Sequence, residues 1–169
     1  MVCQPFVFIL LTSNFANLSR YLTTLAAAEQ LYDALYQWDQ QGSLAITEIS
    51  LPFFQDLVSS AATGNYSSTS DTYTSVTKAV KTYADGFVAV VNEYTPSDGA
   101  LAEQFTRADG TPASASDLTW SYAAFLSAAR REAGTVPASW GASSANDVPT
   151  TCEGSSAAGS YTTPSVGSW

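Results

Sequence analysis

Tyr73, Val76, Val80, Tyr83, Phe87, Val90 and Tyr94 recur three and four residues apart, and this seam limits the chain's fold more than any other feature. That spacing puts apolar side chains along one face of a helix with 3.6 residues per turn. It predicts a helix from Asp71 to Tyr94 whose seam must be covered by neighbouring helices. A coiled coil would use the same seam. The aromatic residues within it and Gly86 favour a helical bundle or barrel instead.

Other segments supply the neighbours. From Tyr21 onward, Leu25, Ala28, Tyr32, Leu35 and Tyr36 form a second stripe, and Gly42 follows as a C-terminal stop. A short helix is expected over Ser50 to Ser60, with Leu51, Phe54 and Val58 on one face and Pro52 in its first turn, where no amide hydrogen bond is lost. Residues 61–70 read as an exposed connection, and Pro96-Ser97-Asp98-Gly99 breaks the long helix with turn chemistry. Residues 100–113 read as loop. A last helix is expected from Ser114, with that hydroxyl capping the amide of Asp117, through Leu118, Tyr122, Phe125 and Ala129 to a stop at Gly134 and Pro137. The fold class is therefore all-α, and helices alternating with long connections suit an α-toroid built from helical pairs.

Charge narrows the partners. Only 12% of the 169 residues are charged, with six Lys and Arg against fifteen Asp and Glu, for a net charge of −9. A phosphate backbone needs a basic face, so no nucleic-acid partner is expected. An anionic membrane surface is disfavoured for the same reason. A neutral, hydroxyl-rich partner such as a carbohydrate is compatible. The chain has no histidine, which removes Ser-His-Asp and Cys-His nucleophiles and every histidine-containing metal site. Cys3 and Cys152 stand at opposite ends and form no clustered zinc site. Carboxylates are left to carry any chemistry.

The two ends read differently from the middle. Residues 5–11 are apolar, fit a weak signal-peptide core, and are too short to span a bilayer as a helix. No positive charge precedes them and no clear small-residue cleavage site follows. The favoured reading is therefore an N-terminus foreign to the original domain, such as translated intron, with the weak signal peptide as the alternative. After Trp140 the chain is rich in Ser, Ala, Thr, Gly and Pro, and residues 153–169 read as the start of a flexible linker. Two sequons, Asn17-Leu18-Ser19 and Asn65-Tyr66-Ser67, would be used only in a secretory route. The expected divisions are 1–20, 21–152 and 153–169.

Glycoside hydrolysis commonly uses two carboxylates, one to protonate the leaving oxygen and one to activate water or attack the sugar. Glu29, Glu48, Glu93, Glu132 and Glu153 read as solvated charges. Glu103 differs. It lies in Gly99-Ala100-Leu101-Ala102-Glu103-Gln104-Phe105, between two helices and among apolar residues, where a loop can aim it. A loop glutamate bonded to backbone amides fits the same spacing.

Several motifs carry a resemblance. Tyr21-Leu22, Ala26-Ala27-Ala28-Glu29-Gln30-Leu31-Tyr32-Asp33-Ala34-Leu35, Leu101-Ala102-Glu103-Gln104-Phe105, Ser114-Ala115-Ser116-Asp117-Leu118-Thr119-Trp120-Ser121-Tyr122-Ala123 and Val136-Pro137-Ala138-Ser139-Trp140 occur in this order. From Tyr21 to Cys152 the chain resembles the C-terminal part of the catalytic domain of fungal glucoamylases, glycoside hydrolase family 15. The resemblance implies a partial (α/α)6 barrel, the last few helices of the toroid. It implies release of glucose from the non-reducing ends of α-1,4-glucans, starch and maltooligosaccharides, with inversion. Glu103 matches the general base, Ser114 a serine that hydrogen-bonds this base, and Trp120 an aromatic lining the substrate pocket. Core packing is the other role open to Trp120, and helix capping alone the other role open to Ser114.

The family needs no metal or organic cofactor, is secreted, and a complete member is expected to be a monomer. Its two carboxyl groups stand roughly 6.5–9.5 Å apart to admit water. The resemblance also implies gaps. The family's general acid and the residues that hold the terminal sugar lie upstream of the part matched here, as does the disulfide partner of the cysteine that Cys152 matches. Where the family has an Asn-Pro-Trp run, this chain has Asn17-Leu18-Ser19-Arg20. The expectation is a truncated chain without activity. The alternative functions are a non-catalytic α-glucan-binding helical module using Trp120, or a structural fragment.

Overall fold

The computed structural model describes residues 17–136. Their order is β1 (Leu18–Arg20), α1 (Tyr21–Gln41), β2 (Ser43–Ile46), α2 (Leu51–Leu57), β3 (Gly64–Ser67), α3 (Asp71–Tyr94), β4 (Gln104–Thr106), β5 (Pro112–Ala113) and α4 (Thr119–Glu132). The apolar run at 5–11, both cysteines, Pro137, Trp140 and the linker expected at 153–169 lie outside the described residues.

The long helix has the expected limits. Ser70 caps α3 by accepting the Tyr73 amide at 3.2 Å, and Asp71 places a negative charge at the positive end of the helix dipole. The buried seam is rotated from the expected one. Val76, Val80, Ala84, Phe87 and Val91 are buried, while Tyr73, Tyr83, Val90 and Tyr94 lie half-buried at its margin. The reason is physical: a tyrosine can lay its ring on the core from the flank and keep its hydroxyl near water. α1 also ends as expected. Gly42 takes φ 65°, a left-handed conformation that suits glycine, and its amide reaches back to Asp39 O.

Polar contacts give the helix directions. Tyr21 Oη at the start of α1 donates to Tyr94 O at the end of α3 at 2.6 Å, and Tyr32 Oη donates to Asp85 Oδ1 at 2.8 Å, so α1 and α3 are antiparallel. Ser127 Oγ donates to Glu29 Oε2 at 2.6 Å, and Arg131 Nε lies 2.6 Å from Asp33 Oδ1, so α4 runs parallel to α1. α1 thus packs against both other long helices. This up-down-up order is that of an α-toroid, and the all-α class stands as a partial (α/α)6 barrel.

Two further details differ from the sequence reading. The connections contain short β ladders. β2 pairs antiparallel with β3, placing Leu44 opposite Tyr66 and Ala45 opposite Asn65, and a second sheet has the order β1-β4-β5. Strands this short carry no visible periodicity. The second difference is α4, which starts at Thr119 rather than Ser114. Ser114 and Asp117 have φ of 65° and 49°, and a left-handed residue cannot continue a right-handed helix. Ser114 is therefore no cap, and Leu118 occupies that position without a side-chain bond. The buried face of α4 is Ser121, Ala124 and Ala128, not the Tyr122–Phe125 stripe, and Phe125 is exposed. Small residues let the helix axes approach.

The core falls into three clusters along α1. Tyr21, Leu25, Val91, Leu101, Phe105, Ala124 and Ala128 fill one end. Ala28, Tyr32, Ala84 and Phe87 fill the middle. Leu44, Ile46, Phe54, Ala61, Val76 and Val80 fill the end beneath the β2–β3 ladder.

Two predictions follow from this packing. Leu25→Ala, at a buried site, should cost about 2–5 kcal/mol in urea unfolding, whereas Leu126→Ala, at a position 60% exposed, should stay within about 0.5 kcal/mol. The second concerns alkaline pH. Burial, and then the hydrogen bond to Asp85, raise the Tyr32 pKa above the ordinary 10.0, and burial raises Tyr21 and Tyr83 as well. The folded state keeps these protons where the unfolded state has lost them, so their stabilisation is complete below pH 10.0 and is lost as pH rises through the folded values. The urea midpoint should fall above pH 10.0, and fall less steeply in Tyr32→Phe.

Candidate active site

Residue 103 follows two buried residues, Leu101 and Ala102, and precedes two more, Gln104 and Phe105. That pattern roots the segment in the core at the Tyr21 end of α1. Phe105 stacks between Tyr21 and Tyr94, with ring centroids 4.8 and 5.2 Å away. β4 is then paired on both sides, with β1 (Arg20 opposite Gln104) and with β5. The turn joining β4 to β5 needs Gly110. Its φ is 73°, and a Cβ there would meet the Tyr94 ring at 2.2 Å. Asp109 braces the same turn. Its carboxyl is held below the usual carboxylate range, chiefly by the Thr106 hydroxyl and then by the Thr111 amide.

The left-handed turns at Ser114 and Asp117 fold residues 114–118 alongside residues 101–104. The Glu103 amide donates to Ala115 O at 2.7 Å, and the Leu118 amide to Leu101 O at 3.0 Å. The first turn of α4 completes the clamp. Ser121, fully buried, donates its Oγ proton to Ala102 O at 2.8 Å. Tyr122 Oη accepts the Leu101 amide at 3.0 Å and donates to Asp117 Oδ1 at 2.6 Å. That carboxylate holds the phenol proton and raises the Tyr122 pKa. Every residue from Leu101 to Glu103 is thereby bonded to the first turn of α4 or to the segment that leads into it.

The Glu103 side chain is partly buried, 22% exposed, and Arg20 Nη2 lies 3.7 Å from its Oε1. Trp120 sits in the first turn of α4, next to the clamping Ser121, and is 42% exposed. The Ser114 hydroxyl donates to Gln104 Oε1 at 3.2 Å, so its bond runs to the neighbour of Glu103 and not to Glu103 itself. Glu103 and Ser114 therefore belong to one bonded unit, and Trp120 stands next to it in the chain, beside Ser121. Arg20, Asp117, Ser121 and Tyr122 complete it, and sequence reasoning gave none of them a role at the site. Ser121 was not readable, because the expected stripe of α4 ran through Leu118, Tyr122 and Phe125 while the buried face is Ser121, Ala124 and Ala128. The approach of Arg20 depends on strand register and left no trace in the sequence.

A carboxylate on a fixed backbone that keeps some access to water can act on that water as a general base. Among the described residues no cluster of His, Cys, Asp or Glu is placed to hold a metal ion. No helix among them is long and apolar enough to cross a membrane.

Comparison with known proteins gives the site its context. The family model "Glycosyl hydrolases family 15" matches residues 4–130. Over 149 residues the chain is 62% identical to a glucoamylase of Neurospora crassa, covering 88% of this chain and 24% of that protein. It is 49% identical to a glucoamylase-1 of Arthroderma benhamiae, with the same coverage of each. The chain thus spans about 24% of the length of these relatives. Among solved structures, it resembles the family 15 glucoamylase of Hypocrea jecorina with TM-score 0.71 and 56% identity, over 86% of this chain and 24% of that one. It resembles the Hormoconis resinae glucoamylase with TM-score 0.72 and 44% identity, over 84% of this chain and 25% of that one. Since the family match runs through most of the chain and the helices take the same course in both solved glucoamylases, the chain belongs to glycosyl hydrolase family 15.

Proposed function

We propose that this chain is the C-terminal part of the catalytic domain of a secreted glucoamylase. The complete enzyme releases glucose from the non-reducing ends of α-1,4-glucans with inversion, and Glu103 is its general base. One observation carries the reading: the Glu103 side chain keeps partial access to solvent, 22% exposed, while the backbone around it is bonded to the start of α4 and the segment before it. In inversion the base takes a proton from the attacking water while an acid protonates the leaving oxygen. A base that acts on water must hold its place against the sugar ring, and rigidity of the carrying loop supplies that.

Supporting roles follow from position. Trp120 offers an indole face on which a glucosyl ring can pack. Ser114 steadies the loop through Gln104. The general acid is assigned to the part of the relatives that this chain does not span. The reaction so described calls on carboxylates alone, without metal or organic cofactor, and the enzyme acts as a monomer. The exposure of Trp120 also supports a second reading, a module that binds α-glucan without cleaving it.

In the enzyme that carries this segment, Glu103→Gln should lower kcat on maltooligosaccharides by about 10²–10⁴-fold, with KM little changed. Polarimetry should show β-glucose as the first product. Full activity in the variant, or α-glucose from the parent, would remove Glu103 from this role. The purified 169-residue chain should release no glucose from maltose. If it does, and Glu103→Gln stops it, the acid lies within the chain. Sedimentation with insoluble starch, lost in Trp120→Ala, would favour the binding module when hydrolysis is absent from the complete protein too. Ser121→Ala should cost about 1–3 kcal/mol, because it strands a buried carbonyl, and should speed hydrogen exchange at the Glu103 amide while leaving the α3 amides slow.

A further inference from the structure

The sequon Asn65-Tyr66-Ser67 lies within β3, which among the described residues is paired along one edge only, with β2. Side chains on this ladder alternate. Leu44 and Ile46 are buried, and Tyr66 packs on the same cluster. Asn65, Ser67 and Ala45, the last directly opposite Asn65, are exposed. The acceptor amide and the sequon hydroxyl therefore share the solvent face of an edge strand, as residues two apart on a strand must. None of the hydrogen bonds among the described residues engages the Asn65 side-chain amide.

The position also suits a large substituent. The β2–β3 hairpin follows the Gly42 end of α1, whereas Glu103 lies at the Tyr21 end. A helix as long as α1 separates its ends by about 30 Å at 1.5 Å per residue. The other sequon is placed differently. Ser19 is buried in β1 opposite Phe105, and the Asn17 carbonyl accepts the Arg107 amide at 2.8 Å, so this sequon is tied into the β1–β4 ladder.

We infer that Asn65 is an N-glycan acceptor when this chain enters a eukaryotic secretory route. The inference rests on the secreted part of the reading above and not on its catalytic part. The donor is an oligosaccharide joined through C1 to a lipid diphosphate. Asn65 Nδ2 bonds to C1 as the C1–O bond breaks, and the electron pair leaves on the diphosphate. One amide proton passes from Nδ2 to solvent base, and nothing is oxidised or reduced. Once attached, the glycan shields the unpaired edge of β3 from other strands.

The test translates the whole chain behind a cleavable secretion leader in the presence of microsomes, and scores only protease-protected product. Peptide N-glycosidase in heavy-oxygen water converts each used asparagine to labelled aspartate, which peptide mass spectrometry locates. Label is expected at residue 65. It should vanish in Asn65→Gln and in Ser67→Ala and persist in Ser67→Thr, with the helical circular dichroism of Asn65→Gln unchanged. Protected chain whose residue 65 carries no label, or whose entire glycan shift is removed by Asn17→Gln, would overturn the inference. Because glucan hydrolysis is not measured, a failed catalytic assignment leaves this result untouched.

Discussion

The close approach of α3 and α4 to α1 is the constraint on which the rest of the structure depends. Small residues mark the contacts: Ala28 on α1, Ala84 on α3, and Ser121, Ala124 and Ala128 on α4 are all buried. A long helix with two such neighbours can bury opposite flanks, and polar pairs fix the order of its partners. The Tyr32–Asp85 bond joins α1 to α3, while Ser127–Glu29 and Arg131–Asp33 join it to α4. Hydrophobic burial drives the association without direction. The hydrogen bonds add direction, since an unmade bond in a buried place costs more than a made one contributes.

That packing holds the candidate site. The clamp on residues 101–103 is formed by residues at the amino end of α4, so Glu103 can be no better placed than α4 is against α1. Ser121 shows the link most directly. Its Cα belongs to the buried small-residue face, and its hydroxyl holds the carbonyl of Ala102. A residue that serves the core and the loop together couples core packing to the position of a carboxylate at the surface.

Much of this was legible in the sequence, for reasons that differ by element. The limits of α3 were readable because its apolar residues recur without a break from Tyr73 to Tyr94 and Pro96-Ser97-Asp98-Gly99 ends them with turn chemistry. The same holds for Gly42 at the end of α1. The start of α4 was misread because Ser114 resembles a cap, and the left-handed turns at Ser114 and Asp117 arise from bonds to residues 101–104, which are distant in sequence. The rotation of the α3 seam from Val90 to Val91 and from Tyr83 to Ala84 is of the same kind, because periodicity gives a face only to within one residue. Glu103 stood out by its apolar neighbours. Its anchors did not, since Ser121, Tyr122 and Arg20 reach it through tertiary contacts alone.

The loop that carries Glu103 also shows where rigidity at the site must come from. Two non-glycine residues with positive φ cost on the order of 1–3 kcal/mol each, somewhat less for aspartate, which tolerates this region better. Nothing local to residues 114–118 offsets that cost, because those residues are mostly exposed. The offset lies one layer down, in Phe105 between the rings of Tyr21 and Tyr94 and in the bonds from Ser121 and Tyr122. Substitutions there would let the loop relax toward ordinary backbone geometry, and Glu103 would move with it. The residues that set the position of the carboxylate are therefore mainly core residues, and a substitution beneath the loop should disturb the site more than one on its exposed surface.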